Sequence, residues 1–274
     1  MNESDFQLIK TLGFTLSLAF MFAVQSLAPY RRAARLVPRN WRQNVPIAII
    51  NTIVMSLVCG ACLCTVARYA ETRNLGLFRL AGAPPWMAIG GTFLALDFVL
   101  WGWHLANHRL PWLWRFHRVH HSDRDFDVST SLRFHTGELM LGLPLKLASV
   151  AALGAPLTGL LLFEVAFGLF NVFVHGNIRM PTLWEARLSS VIVLPSNHRL
   201  HHSVRPQEYK RNFGTVFSLW DRWLGTWAGG RSTDDVTTGL PDLMGPAPLT
   251  LWKCLALPFK RELWSTPHHE VNRE

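Results

Sequence analysis

Ten of the twelve histidines in this 274-residue chain fall between positions 104 and 202, and eight of them stand in three tight groups. His104 and His108 form HxxxH; His117, His120 and His121 form HxxHH; His198, His201 and His202 repeat HxxHH within NHRLHHS. On a helix, residues three and four apart lie on one side, so each group is expected to aim its imidazoles the same way. Imidazole is the commonest protein ligand for iron, zinc and copper, and it binds as the neutral ring near pH 7. Eight boxed histidines exceed what one tetrahedral ion needs, so two metal ions fit better. A lone HxxxH is explained by basic residues gathering at a membrane surface. Two HxxHH groups following it are not.

Two single histidines extend the set: His135 in SLRFHTGE and His175 in FVHGN. Each alone is commonly a satisfied helix-end histidine; on the same membrane face as the boxes each becomes a ligand candidate. Ligating histidines usually donate their other N–H to a carboxylate or a carbonyl. Asp97 precedes His104 by two helical turns on nearly the same face, and an aspartate inside an apolar span flags function. Glu138 and Asp221 are further carboxylate partners, with Asn197 and Asn212 as polar neighbours of the third box. Glu164, deep in an apolar stretch, pairs with Lys146, lines a substrate path, or faces a neighbouring helix.

An all-histidine set differs from the soluble di-iron sites built on Glu and Glu-x-x-His. It suits a membrane-surface site that places an oxidant beside an acyl chain or sterol ring. Hydrocarbon C–H bonds give hydrolytic or acid–base chemistry nothing to work on, whereas iron with dioxygen attacks them. A zinc hydrolase would need a general base such as the glutamate of HExxH, and the three boxes contain no glutamate. A metal serving stability alone predicts tight zinc and no dioxygen consumption.

The surrounding elements are those of a membrane protein. The chain is 49% apolar and only 16% charged, where soluble domains carry about a quarter charged residues. Its formal charge of +9 does not indicate nucleic acid, because arginines flanking apolar runs are what cytoplasmic membrane loops look like. After the acidic start MNESD, residues 12–27 form a first span, read as retained because a secretory signal carries a basic leading region. Arg31, Arg32, Arg35, Arg39 and Arg42 place the following loop in the cytoplasm. Residues 46–67 form a second span and 86–103 a third, which returns the chain to the side of His104. Residues 139–174 read as a helical hairpin turning at Gly154-Ala155-Pro156, delivering His175 to the same face.

Cys59, Cys62, Cys64 and Cys254 make no disulfide framework, and Cys59-x-x-Cys62 lies in an apolar run where small packing residues are expected. Many of the tryptophans cluster near span ends, as in an aromatic belt, with a substrate-channel wall as the alternative for a few. Residues 228–246 read as loop, 249–264 as a short amphipathic piece able to lie in the interface, and the tail with His268 and His269 as a disordered end. The domain expectation is membrane spans with a basic loop over 1–86, a catalytic unit over 87–230, and a C-terminal loop, amphipathic segment and tail over 231–274.

The run D-x6-HxxxH-x8-HxxHHS, then RFH-x2-E, NHRLHHS, NFG and WDRWLGT, resembles the fatty acid hydroxylase/sterol desaturase superfamily of integral membrane oxygenases over about residues 87 to 227. The resemblance implies an all-α integral membrane fold of about four spans with a cytoplasm-facing histidine cap. It implies two iron ions (zinc substituting on expression) held by the boxed histidines plus others such as His135 and His175, with dioxygen as co-substrate. One departure is Thr136, where family members often carry proline. With no cytochrome or flavin motif in the chain, electrons are expected from a separate donor. The expected substrate is a membrane lipid: a fatty acyl chain, an ether lipid, a headgroup or a sterol-like ring. Nothing in the boxes separates hydroxylation from desaturation, and a carotenoid-ring hydroxylase is a minor alternative. The arginine-rich composition, without an evident lysine-based retrieval tail, leans towards a bacterial inner membrane.

Overall fold

The computed structural model describes residues 2–31, 40–59, 62–229, 233–245 and 249–260. Arg32, Arg35 and Arg39 of the basic loop, residues 60–61 of the CxxC stretch, residues 261–264 of the amphipathic piece, and the tail histidines lie outside them. Among the described residues the structure is helical, with no strand and only isolated β-bridges.

Helix α1 (Glu3–Leu27) starts at a capping box in which Asn2 and Asp5 satisfy each other's backbone N–H. α2 (Trp41–Cys59), α3 (Cys62–Thr72) and the short α4 (Leu77–Leu80) follow. α5 (Pro85–Arg109) opens on a proline in its first turn, where the missing N–H costs nothing. It stops because Leu110 precedes Pro111 and is held extended, at φ −99° and ψ 115°. Pro111 then starts α6 (Pro111–His121), so the first two boxes sit on two helices joined by a proline break. α7 (Thr136–Leu153) and α8 (Leu157–Val174) form the expected hairpin. Gly154 caps α7 at φ 62°, and a Cβ there would lie 2.4 Å from the Leu75 carbonyl oxygen, so only glycine fits. The remaining helices are short: α9 (Thr182–Leu188), α10 (Pro195–His201), α11 (Pro206–Tyr209), α12 (Leu219–Trp223) and α13 (Leu251–Ala256).

Among the described residues, five stretches are by length and composition apolar enough to cross a membrane: Glu3–Leu27, Trp41–Leu80, Pro85–Arg109, Thr136–Leu153 and Leu157–Val174. The two arms of the hairpin each qualify, which is why the count exceeds four. Their outward faces carry apolar side chains at helical spacing: Leu8, Leu12, Leu16, Phe20 and Leu27 on α1, and Ile49, Ile53 and Leu57 on α2. α1 and α8 run in the same direction, since Phe6 packs with Leu160 and Phe163 at one end while Met21 packs with Val172 at the other. Cys64 is a free thiol in the first of these clusters, in line with packing. Lys146 and Glu164 pair across the hairpin. The C-terminal segment packs inward as well: Cys254 and Leu257 share a core with Ile47 and Val119, while Trp252 and Phe259 stay exposed.

Candidate metal centre

Among the described residues, nine histidines converge at one end of the bundle in two groups. His104, His108, His117, His121 and His201 form the first, and His120, His175, His198 and His202 the second; within each group the available ring nitrogens lie within 4.8 Å of one another. The boxes do not map onto the groups one to one. His104 and His108, His117 and His121, and His198 and His202 are each four apart and stay together. His120 and His201, three residues from His117 and His198, cross to the other group. At about 100° per residue, a four-residue step turns the side chain by about 40° and a three-residue step by about 60° the other way. Two adjacent sites on neighbouring helices separate those directions, so the expectation of one shared aim per box is corrected.

Backbone and carboxylate oxygens fix several rings. Nδ1 of His104 donates to the Phe213 carbonyl (2.8 Å), that of His201 to Arg211 (2.7 Å), and that of His175 to Asn171 (2.6 Å). His117 Nδ1 donates to Oε1 of Glu138 at 2.8 Å, both groups buried. Each such bond puts the proton on Nδ1 and leaves the Nε2 lone pair free to ligate. The opposite atoms are then orphans: Nε2 of His104, His117 and His201 is buried without a partner, and every other ring except His175 has at least one such nitrogen. A buried unpaired polar atom costs about 1–3 kcal/mol, so this many in one place asks for a cation. In the second group, Nε2 of His175 lies 3.2 Å from that of His120 and 3.0 Å from that of His198. Three lone pairs at that separation repel unless they face a metal or share protons. Burial also holds the rings neutral, with His175 lowered to about 4 and His201 to about 3 from 6.5, and His120, His121, His198 and His202 well below it. The donor set fits two ions of the kinds that imidazole suits, iron, copper, nickel or zinc.

His135 stands outside both groups. As the N-cap of α7 its Nδ1 accepts from the Gly137 N–H at 2.9 Å, and its Nε2 donates to the Leu255 carbonyl at 3.1 Å. Both nitrogens are thus spent. Asp97 touches no histidine: seven residues along α5 carry it about 10 Å from His104, beyond hydrogen-bond reach. Its carboxylate instead accepts from the Trp220 indole (2.7 Å) and the backbone N–H of Phe217 and Val216. Asp221 holds the same loop higher up, accepting from Phe213 and Gly214 N–H and from the Trp101 indole. Asn212 also makes no contact with a ring. It sits at φ 58° between the two carbonyl-bearing residues Arg211 and Phe213, and ties them to Asn197 and Ala228. Asn197 caps its own helix through the Leu194 N–H.

A second polar network, beside the C-terminal end of α6, escaped the reading of the sequence. Asp123 accepts from Asn40, Asn44 and Thr130, and Asp127 from Asn40, Trp41 and Ser129. Arg133 is buried, donating to the Val119 carbonyl, Ser122, Asn44 and Cys254 Sγ. The signal was present as Asp127-x-x-Thr130, a capping pattern opening the 3-10 turn Val128–Leu132.

The family model for fatty acid hydroxylase matches residues 89–226, half of the chain, and spans every residue of both histidine groups. Similar curated proteins include ornithine lipid hydroxylase OlsE of Rhizobium tropici, 30% identical over 166 residues, covering 61% of this chain and 48% of that protein. Alkylglycerol monooxygenase of Caenorhabditis elegans is 29% identical over 167 residues, 61% of this chain and 32% of that protein. Cholesterol 25-hydroxylase of Rattus norvegicus is 30% identical over 145 residues, 48% of this chain and 44% of that protein. The matched region thus spans about half the length of these relatives or less. No solved structure matches the chain. The matched region holds both histidine groups and their carbonyl and carboxylate partners, and on that match the chain belongs to the fatty acid hydroxylase family.

Proposed function

We propose that this chain is a membrane monooxygenase that hydroxylates a C–H bond of a lipid, using dioxygen, electrons from a separate donor and two iron ions, one per histidine group. The carrying observation is the set of nine converging histidines, eight of which carry a buried ring nitrogen without a partner. The relatives named above act, by their names, on an ornithine lipid, an alkylglycerol and cholesterol. These share a lipid character and a hydroxylation, which favours hydroxylation over desaturation for this chain.

In this reading His104, His108, His117, His121 and His201 hold one ion, and His120, His175, His198 and His202 hold the other. Iron bound there supplies the activation of dioxygen that C–H oxidation requires. The chain's own groups orient and insulate. The Phe213, Arg211 and Asn171 carbonyls and the Glu138 carboxylate keep four rings in the tautomer that presents Nε2. Asp97, Asp221 and Asn212 hold the loop carrying two of those carbonyls, so they act at one remove. Phe126 and Phe134 pack on the second group and exclude water from it. Residues 87–230 supply the ligands and 1–86 the membrane anchorage; of the C-terminal unit 231–274, the described stretch 233–245 reaches the site through the Gly239 N–H to the His202 carbonyl. The histidine end faces the cytoplasm, in a bacterial inner membrane.

The test is lipid profiling of cells carrying the wild-type chain or His202→Ala at equal membrane abundance. A lipid species gaining one oxygen atom with the wild type and missing with the variant supports the proposal. Identical profiles in a strain with ample iron and oxygen contradict it.

A further inference from the structure

Residues 213–224 leave the histidine end and descend along the outside of α5. Phe213 is level with His104, whose Nδ1 it accepts. Val216 and Phe217 N–H reach Asp97, and the Phe217 ring lies 5.9 Å from Phe93 and edge-on to it. From His104 to Asp97 is about 10 Å along the helix, and Phe93 is a further turn down. The segment then turns through α12, where Trp220 packs 5.1 Å from Phe98, and climbs back to Thr226, whose carbonyl accepts from the Asn212 N–H. Residues 191–193 travel with it, through Val193 N–H to the Val216 carbonyl and Ser218 N–H to that of Val191.

The lipid-facing stripe of α1 gives the depth scale. Its exposed apolar side chains run from Leu8 to Leu27, about 29 Å at 1.5 Å per residue, against about 30 Å of hydrocarbon. Leu27, 87% exposed, marks the inner edge. That edge is level with the metal ligands, because Tyr30 N–H bonds the Asn177 carbonyl two residues beyond His175. α5 and α8 run side by side, with Gly159 against Ile89 and Thr92 at one end and His198 touching both His175 and His104 at the other. Asp97 and the loop it holds therefore lie on the hydrocarbon side of that edge.

We propose that residues 213–224, with 189–193, form a re-entrant segment immersed in the leaflet on the histidine side, its outer face against phospholipid acyl chains. Trp223 (71% exposed), Leu224 (52%) and Val191 form that face, continuous through Trp220 with the lipid-facing Phe98 of α5. Irregular backbone at membrane depth is tolerated only when its polar groups are satisfied internally. Asp97 and Asp221 do this between them for the N–H groups of Phe213, Gly214, Val216 and Phe217. This explains why a span carries an aspartate that touches no histidine. Exposed Arg187, at the end of α9 just before the second segment, and exposed Arg222, on the first, supply cations for the headgroup layer.

The proposal depends on neither metal nor activity. Trp223→Cys, Leu224→Cys, Leu16→Cys and Arg179→Cys would each be nitroxide-labelled in the full chain, reconstituted in phosphatidylcholine–phosphatidylglycerol vesicles and corrected for labelling of the unsubstituted protein. Collision with dissolved oxygen relative to a water-soluble nickel chelate is the readout. Ratios at 223 and 224 several-fold above that of Arg179→Cys and closer to that of Leu16→Cys are expected. Ratios closer to Arg179→Cys would overturn the immersion. As an independent check, Trp223→Phe should lower the fraction of tryptophan fluorescence quenched by lipids brominated on the upper acyl chain; an unchanged fraction counts against the proposal.

Discussion

The two histidine groups are built from the same residue type but held differently. The first has five rings, and three of them are fixed from outside by the Phe213 and Arg211 carbonyls and the Glu138 carboxylate. His104 is its partly exposed member. The second has four rings, all buried, and only His175 has an oxygen partner for its Nδ1. The stacked rings of His121 and His202, 4.3 Å apart, join the two. The contrast teaches that the first group is preorganised by hydrogen bonds and the second by packing. Loss of one ligand should therefore be felt most where there are fewest.

The largest effect is expected in the four-ring group. His120→Ala or His202→Ala should abolish turnover and lower bound iron from two towards one per chain, with membrane insertion retained; full turnover by either variant contradicts the ligand assignment. Glu138→Gln keeps the shape but removes the charge that orients His117, and should cost about 10- to 100-fold in activity or metal affinity. The same assay on Asn171, whose contact with His175 is a backbone carbonyl, should show little change on side-chain truncation beyond stability. Asn212→Ala loses three hydrogen bonds and the residue type best suited to φ 58°, so a stability loss of about 1–3 kcal/mol is expected in detergent unfolding. The smallest effect is expected at His135. His135→Ala should leave iron content unchanged and cost about 1 kcal/mol through the lost helix cap. Loss of iron there would restore it as a ligand.

The groups also differ from an ordinary polar core in their pH response. His175 and His201 titrate at about 4 and about 3 in the folded chain against 6.5 when exposed, so the unfolded chain binds protons more readily in between. Metal-free protein should keep this part of its stability above pH 6.5 and lose it as pH falls towards 3. A flat unfolding midpoint across that range would mean the rings are not buried as described.

The boxes were legible because ligation forces a residue type and helical geometry forces a spacing. His175 was legible through topology, since the hairpin had to return it to the box side. Partners contributed by the backbone were not: nothing in the side chains of Arg211 or Phe213 announces that their carbonyls orient His201 and His104. At His135 the letters leave two roles open, because a helix-capping histidine followed by Thr-Gly-Glu reads the same as a ligand, and the structure places it at the cap of α7. Asp97 stands out as costly in a span, yet periodicity gives direction around a helix without revealing which loop lies alongside. The network of Asp123, Asp127 and Arg133 joins segments far apart in the chain, such as Asn44 with Asp123, 79 residues away, and with Arg133, 89 residues away, and local pattern carries no trace of such pairings.

The central claim is that each group holds one iron. It is tested most directly by metal analysis and Mössbauer spectroscopy of protein purified in mild detergent from iron-supplemented cells. The account predicts close to two irons per chain, magnetically coupled and oxidised by dioxygen after reduction. Zinc held so tightly that iron neither replaces it nor supports dioxygen use would contradict it.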